Sequence, residues 1–431
     1  MYYYSFKNNL IVCHQDINNY NNVKATDFKK VSEDYCCNFN GNIFVLFKLN
    51  PLNSRRSFCI NNEKLLYLEK ETLDILRELN KAYKTPNWLI SKIRKSKVTG
   101  INTEYPNWKD SLNHNFPCMY NNKSCLNINV VGLGDVGGTL ITGLRLLGGE
   151  FINKIGIYDK DINKLKRWNF ECNAIASADT SLNFPSIIPL EEKDLFNCDV
   201  FVFCVSVGVP KVGDEKEDVR ITQFKGNHNI IKFYAKLARK NDFKGIFAVV
   251  SDPVDLLCKS VFQCSNTDSE GHWDFKGLAP EQIRGYGLGV MNGRALYYSK
   301  DIAPEYETEG RAFGPHGEGL FIVNSIYNYN EQLSLLLTER TKKANLEVRA
   351  VGFKPYIAPA LSSGTISILD TLNGNWNYSA TFIGGNFFGC KNRLTEAGVE
   401  VEALQLSDEI FIKLQETYDL LQNTYSSITK H

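Results

Sequence analysis

The chain predicts a doubly wound parallel α/β sheet, followed by an α+β portion and preceded by a small α+β unit. Short apolar runs alternate with helical stretches from Leu126 to Val250, a glycine turn follows the first of them, and charge shifts near residue 125. Alternation at this spacing demands crossover helices, and crossovers of that kind join parallel strands.

Residues 1–125 carry 18 Lys and Arg against 11 Asp and Glu, although the net charge of the 431 residues is only +1. Ile43–Lys48 and Lys64–Leu68 read as strands. Two helices are expected after them. Glu71–Leu79 places Leu73, Ile75, Leu76 and Leu79 on one stripe, and Trp88–Lys95 follows the start signal Thr85-Pro86-Asn87. Strands followed by two short helices resemble the winged-helix modules that bind leader peptides. A structural or oligomerisation appendage, a peptide-binding module and a nucleic-acid-binding module all fit this segment, nucleic acid least. A basic surface suits an acidic partner, and equally a plain solvated face. Residues 100–125, with Pro106, Pro117 and many Asn, read as linker.

The second unit, 126–275, opens with the strand that runs into Gly132-Leu-Gly-Asp-Val-Gly137. Gly132 allows the tight turn, Gly134 lets backbone approach a diphosphate, and Gly137 lets the next helix pack close. That helix supplies free N–H groups and positive dipole at its start, so Asp135 and Val136 join the glycines as cofactor-contacting positions. The second strand, Ile155–Tyr158, ends at Asp159. This carboxylate can accept from both ribose hydroxyls and would repel a 2′-phosphate, so NAD rather than NADP is the expected cofactor. A third strand lies within Cys198–Val205, a helix near Asn227–Arg239, and a fourth strand at Gly245–Val250. Ligands of such Rossmann-type sheets bind beyond the carboxyl ends of the strands, which singles out the loops after Val131, Tyr158, Val205 and Val250.

Composition excludes other classes. No apolar run approaches the roughly 18 residues of a membrane span, and the first residues are not a signal peptide, so a cytoplasmic protein is expected. The twelve cysteines are scattered, with no Cys-x-x-Cys and no histidine pair at zinc spacing, so reduced thiols and no metal site are expected.

Taken in order, the glycine turn, Asp159, Val207-Gly-Val-Pro210, Ser251-Asp-Pro-Val-Asp255, Gly285–Arg294 and Gly314-Pro-His-Gly-Glu318 resemble the lactate/malate dehydrogenase family, from about Leu126 to Gln422. The resemblance implies an NAD-binding domain at 126–275, a substrate domain at 276–431 and assembly into a homo-oligomer. It also implies hydride transfer between nicotinamide and a 2-hydroxy/2-oxo acid. That reaction needs a base titrating near neutrality, and His316 matches the family histidine. Arg294, 22 residues earlier, matches the arginine that grips the substrate carboxylate. Arg220 matches the mobile-loop arginine that polarises the carbonyl oxygen. Val207, Gly208, Val209 and Ser251 are implied along the cofactor. Ser363 and Asn292 are implied beside the substrate.

Three departures mark this chain. Where the family pairs its histidine with an aspartate, Met291 stands, with Asn292 beside it; where the family usually has asparagine, Asp252 stands. A carboxylate moved from one loop to the other would restore the pair. Finally, Lys211–Arg220 is longer than the family loop and carries four acidic residues. Counting forward from Pro210 puts Lys211 where malate enzymes hold a second carboxylate; counting back from Arg220 puts Asp214 there. An acidic loop disfavours malate. Beyond a plain dehydrogenase, two alternatives stay open: a tailoring enzyme whose N-terminal module holds a peptide, and an NAD-binding protein that has lost catalysis. Adenylating enzymes are disfavoured, because the later motifs are absent from them and their paired zinc cysteines are absent here.

Overall fold

The computed structural model describes residues 1–21, 23–78, 83–112, 126–179, 181–207 and 219–429. The first unit is a six-stranded mixed sheet. Its strands are β1 (Tyr2–Phe6), β2 (Asn9–Cys13), β3 (Lys29–Lys30), β4 (Ile43–Phe47), β5 (Ser57–Cys59) and β6 (Val98–Asn102), in the order β3-β1-β2-β4-β6-β5. Short helices α1 (Glu33–Cys37), α2 (Glu63–Leu66) and α3 (Asn87–Ile93) connect them. Both faces of the sheet are apolar, so β2 and β4 are buried at every residue, as expected of central strands covered on two sides.

This unit corrects several expectations. A winged helix does not hold a sheet of this size, and the sheet is the dominant element here. Lys64–Leu68 is not a strand: Asn62 caps it by accepting the Leu65 N–H, and it coils as α2. Within the expected helix Glu71–Leu79 the described residues form a single 3-10 turn, Leu73–Leu76, whose Leu73, Ile75 and Leu76 are all buried, and Leu79 lies outside the described residues. The helix after Pro86 forms close to where the start signal puts it. Residues 100–112 are no linker, because β6 and the fully buried Trp108 belong to the sheet's own core.

The second sheet has nine strands: β7 (Leu126–Val131), β8 (Ile152–Tyr158), β9 (Ser186–Pro189), β10 (Val200–Phe203), β11 (Ile246–Val249), β12 (Ile283–Gly285), β15 (Asn377–Ile383), β16 (Asn386–Thr395) and β17 (Gly398–Val401). A separate hairpin is made by β13 (Arg311–Phe313) and β14 (Phe321–Val323). The order is β17-β16-β15-β12-β11-β10-β7-β8-β9. Strands β7 to β12 pair in parallel, and β15 to β17 extend the sheet antiparallel. The doubly wound fold is thus as the alternation predicts. Strands β8 and β9 are added on one side of β7 and β10 to β12 on the other, so the winding switches sides between β7 and β10, which opens a crevice at their carboxyl ends.

The helices of this part are α4 (Asp135–Leu147), α5 (Ile162–Asn173), α6 (Val219–Lys240), α7 (Val254–Ser265), α8 (Leu288–Ile302), α9 (Tyr306–Glu309), α10 (Glu331–Ala350), α11 (Ser367–Leu372) and α12 (Asp408–Thr429). No helix among the described residues is long and apolar enough to cross a membrane.

The N-terminal sheet docks on the antiparallel edge of the larger one through buried charge. Arg55, buried in an ion pair with Glu71 of its own unit at 3.1 Å, donates from Nη1 to Val399 O of the larger sheet at 3.4 Å. Glu281 accepts the backbone N–H groups of Arg56 and Ser57 and the Ser57 hydroxyl. Leu404 bridges to the first unit by donating to Leu76 O and accepting from Glu78 N. Such contacts are costly to separate, because each leaves a desolvated polar group without its partner.

Candidate active site

The glycine turn after β7 has the shape its residues dictate. Gly132 sits at φ +90°, and a Cβ there would lie 2.6 Å from the Val205 nitrogen. A Cβ on Gly137 would lie 1.9 Å from Gly132 O, so only glycine lets α4 approach the turn. Gly134 faces open space instead. That is the position at which a diphosphate meets backbone, and α4 begins immediately after it, at Asp135.

Asp159 stands at the end of β8 beside this turn. Its Oδ2 accepts the Leu133 N–H at 2.8 Å and its Oδ1 accepts the Asp161 N–H at 3.0 Å. A carboxylate offers about four acceptor positions, so capacity remains for ribose hydroxyls. The groove bounded by Gly132, Gly134 and Asp159 has a volume of about 790 Å³, and Arg349 in the last turn of α10 with Phe353, Lys354 and Tyr356 from the segment after it form its other wall. Lys354 Nζ reaches Asp135 Oδ2 at 3.0 Å across it. The residues present fit a dinucleotide: bare backbone at Gly134, a helix start for the diphosphate and a carboxylate for the ribose.

Two strands along, the loop after β11 carries Ser251 and Asp252, and the first turn of α7 carries Asp255. Asp252 Oδ1 lies 2.8 Å from His316 Nδ1, 64 residues away in sequence. With Asp252 ionised, Nδ1–H donates to it, which leaves the Nε2 lone pair free. Burial lowers the His316 pKa, but the Asp252 charge and hydrogen bond outweigh it and, despite the nearby Arg294 charge, the net shift is upward from 6.5. Asp255 is buried and also accepts the His316 backbone N–H; burial pushes its carboxyl up to about 7. Arg294, on α8, contacts the Met291 sulfur at 3.7 Å, and burial lowers its pKa. Among the described residues no carboxylate is in ion-pair contact with it. The fold therefore brings Asp252, His316 and Arg294 together.

Other expected residues are placed differently. Ser363 is 2 % exposed; its hydroxyl accepts the Val290 N–H and donates to Gly287 O, so it pins the start of α8 rather than lining a substrate pocket. Asn292 does not turn its carbonyl to a substrate, because that oxygen accepts from the buried Tyr306 hydroxyl at 2.9 Å. Ser251 donates to Val205 O and so ties two crevice loops together. Val207 donates its N–H to Asn227 Oδ1. Gly208, Val209, Lys211 and Asp214 lie outside the described residues, as does the side chain of Arg220 near the start of α6.

Two contributors escaped the sequence reading. Asn227, wholly buried, joins Val207 to the Asp252 carbonyl, to which it donates at 2.7 Å. A buried side-chain amide bonded at both its oxygen and its nitrogen fixes the Asp252 loop to the loop after β10. Asp255 is the second. Both stood within quoted motifs, and only their burial distinguishes them from surface polar residues.

Comparison with known proteins agrees with this geometry. Residues 126–271 match the lactate/malate dehydrogenase NAD-binding domain model. An L-lactate dehydrogenase 2 of Listeria monocytogenes is 25% identical over 207 residues, which span 46% of this chain and 59% of that protein. An L-lactate dehydrogenase of Mycoplasma genitalium is 26% identical over 199 residues, 44% of this chain and 56% of its own. The match thus spans less than two thirds of these curated relatives. Among solved structures, a lactate dehydrogenase from a Medee basin deep-sea metagenome library superposes with TM-score 0.58 at 18% identity, over 71% of this chain and 100% of that one. A malate dehydrogenase from Archaeoglobus fulgidus in complex with NADH gives 0.57 at 17% identity, over 70% and 99%. Residues 126–271 thus match the NAD-binding domain of the lactate/malate dehydrogenase family, and a six-stranded unit lies ahead of that match.

Proposed function

We propose that the protein is an NAD-dependent oxidoreductase acting on a 2-hydroxy/2-oxo acid, malate excepted. The observation that carries this reading is the 2.8 Å contact between His316 and Asp252 beside Arg294. NAD, when bound, supplies the hydride acceptor or, reduced, the donor. The protein's part is to bind, orient and move a proton.

Arg294 receives the substrate carboxylate; a planar guanidinium with no carboxylate partner among the described residues is suited to that. His316 Nε2 takes the hydroxyl proton as the alcohol is oxidised, and returns it in the reverse direction. Asp252 holds the ring in the tautomer that leaves Nε2 free and stabilises the imidazolium once formed. It thereby does from the loop after β11 what the family's aspartate does from the position of Met291. Asn227 keeps Asp252 in register with the loop after β10. Arg220 is assigned the polarising role, and the acidic Lys211–Arg220 segment the exclusion of a second carboxylate.

The test is NADH oxidation at 340 nm against a panel of 2-oxo acids, with NADH binding measured on the same preparation and His316→Ala as control. Turnover lost in the variant with NADH binding retained supports the reading. NADH binding without turnover of any acid by the wild type overturns it, and a peptide-tailoring enzyme predicts turnover only of a leader-bearing substrate.

A further inference from the structure

The partners in the catalytic pair differ in exposure in an unusual sense. A carboxylate whose only task is to orient an imidazole sits behind the ring, buried. Here the His316 side chain is 18% exposed and that of Asp252 46%. Asp252 spends Oδ1 on the ring, and its carboxylate remains partly exposed. The other carboxylate at the pair, Asp255, is buried. Arg294 lies close enough to both that the Asp252 charge acts to raise the Arg294 pKa and the Arg294 charge acts to lower that of His316.

We propose that the substrate carries an ammonium group as well as a carboxylate, so that Arg294 takes the carboxylate and the outward oxygen of Asp252 takes the ammonium. The inference rests on the oxidoreductase reading and narrows its substrate class to zwitterionic hydroxy or oxo acids. Its physical basis is charge balance. A cleft with one fixed cation and one fixed anion leaves a charge unmatched when a simple monocarboxylate binds, and sets like charges together when a dicarboxylate does. A zwitterion matches both. In the usual family arrangement, with an amide at this position, no such demand arises; the carboxylate at Asp252 creates it.

The experiment uses two matched sets of 2-hydroxy acids with the full chain. One is 3-amino-2-hydroxypropanoate, lactate and malate; the other is 6-amino-2-hydroxyhexanoate, 2-hydroxyhexanoate and 2-hydroxyhexanedioate. Dead-end binding to the enzyme–NADH complex is followed by nucleotide fluorescence, and NADH formation from NAD is followed separately. In at least one set the ammonium acid is expected to bind more tightly than its neutral analogue by about tenfold or more, the dicarboxylate least tightly of the three. In Asp252→Asn that advantage should shrink to about twofold or less while the neutral acid binds as before. Equal binding of ammonium and neutral acids by the wild type in both sets overturns the proposal, and so does a variant that loses both alike. Turnover of neutral acids with no charge preference sinks this inference and leaves the oxidoreductase reading standing. Absence of turnover on every acid counts against that reading, and the wild-type binding series still decides the charge question.

Discussion

Asp252 and His316 meet at 2.8 Å, joining the loop after β11 to the loop between β13 and β14. The groups facing His316 are Asp252 and Asp255, which raise its pKa, and Arg294, which lowers it; burial lowers it further, and the balance is upward from 6.5. Reduction of an oxo acid needs the imidazolium, so its rate should hold below that raised pKa and fall as pH rises through it. Oxidation should do the reverse. Asp252→Asn removes the principal raising influence, so the limb should move toward acid by about one unit or more. Rate profiles against pH for both directions check this, with kcat expected to fall by about 10²-fold or more.

Asp255 gives a stability prediction of defined sign. Its folded pKa, about 7, lies above the ordinary 3.8 because burial penalises the charge, with repulsion from Asp252 adding; its own N–H, the His316 N–H and the His316 charge oppose the rise. A carboxyl raised in this way contributes stability that is fully present below its unfolded value and is lost as pH rises from about 4 to 7. The wild-type Tm is therefore expected to decline between about pH 4 and pH 7, and Asp255→Asn should flatten that decline. Thermal unfolding across that range measures it; equal slopes would show that Asp255 is not a charged group strained by burial.

Lys354 offsets an awkward charge. Asp135 occupies the first turn of α4, where the cofactor diphosphate is expected, and its carboxylate repels that group; Lys354 Nζ stands 3.0 Å from it. Lys354→Ala should weaken NADH binding by about three- to tenfold at low salt and by less at high salt, since both partners are exposed and screened. Fluorescence titration at two ionic strengths reads the difference. No change at low salt would remove Lys354 from the cofactor site.

Glu281 tests how firmly the N-terminal domain is held. It is inaccessible to solvent, pairs with Arg56, and accepts two backbone N–H groups and a hydroxyl. Glu281→Ala orphans those donors and should cost about 3–5 kcal/mol. Glu281→Gln, which keeps an acceptor, should cost less. Urea unfolding of both variants separates them, and a negligible effect in each would mean that the domain docks by apolar contact alone.

Gly137→Ala addresses the turn itself. A Cβ would lie 1.9 Å from Gly132 O, so α4 must shift and the diphosphate cradle with it. NADH affinity is expected to fall by at least about tenfold, with the far-ultraviolet spectrum unchanged, as measured by calorimetry and circular dichroism.

What the sequence by itself determined is local. The turn at Gly132–Gly137, Asp159 at the end of β8, the helix start after Pro86 and the alternation of β7, β8, β10 and β11 with helices are written in residues a few positions apart, where steric and periodic demands act directly. The meeting of Asp252 with His316 was open to inference because two replacements, Met291 and Asp252, change charge in opposite directions, but proximity itself came only with the fold. Tertiary structure alone decided the rest. Lys64–Leu68 is too short for its apolar run to choose between strand and helix, and packing plus the Asn62 cap chose helix. Ser363 looked like a pocket hydroxyl until α8 claimed both its hydrogen bonds, and Asn227 and Asp255 look like ordinary polar residues until burial obliges each to find partners. Burial and partnership are set by segments far apart in the chain, and no local pattern encodes which of them will meet.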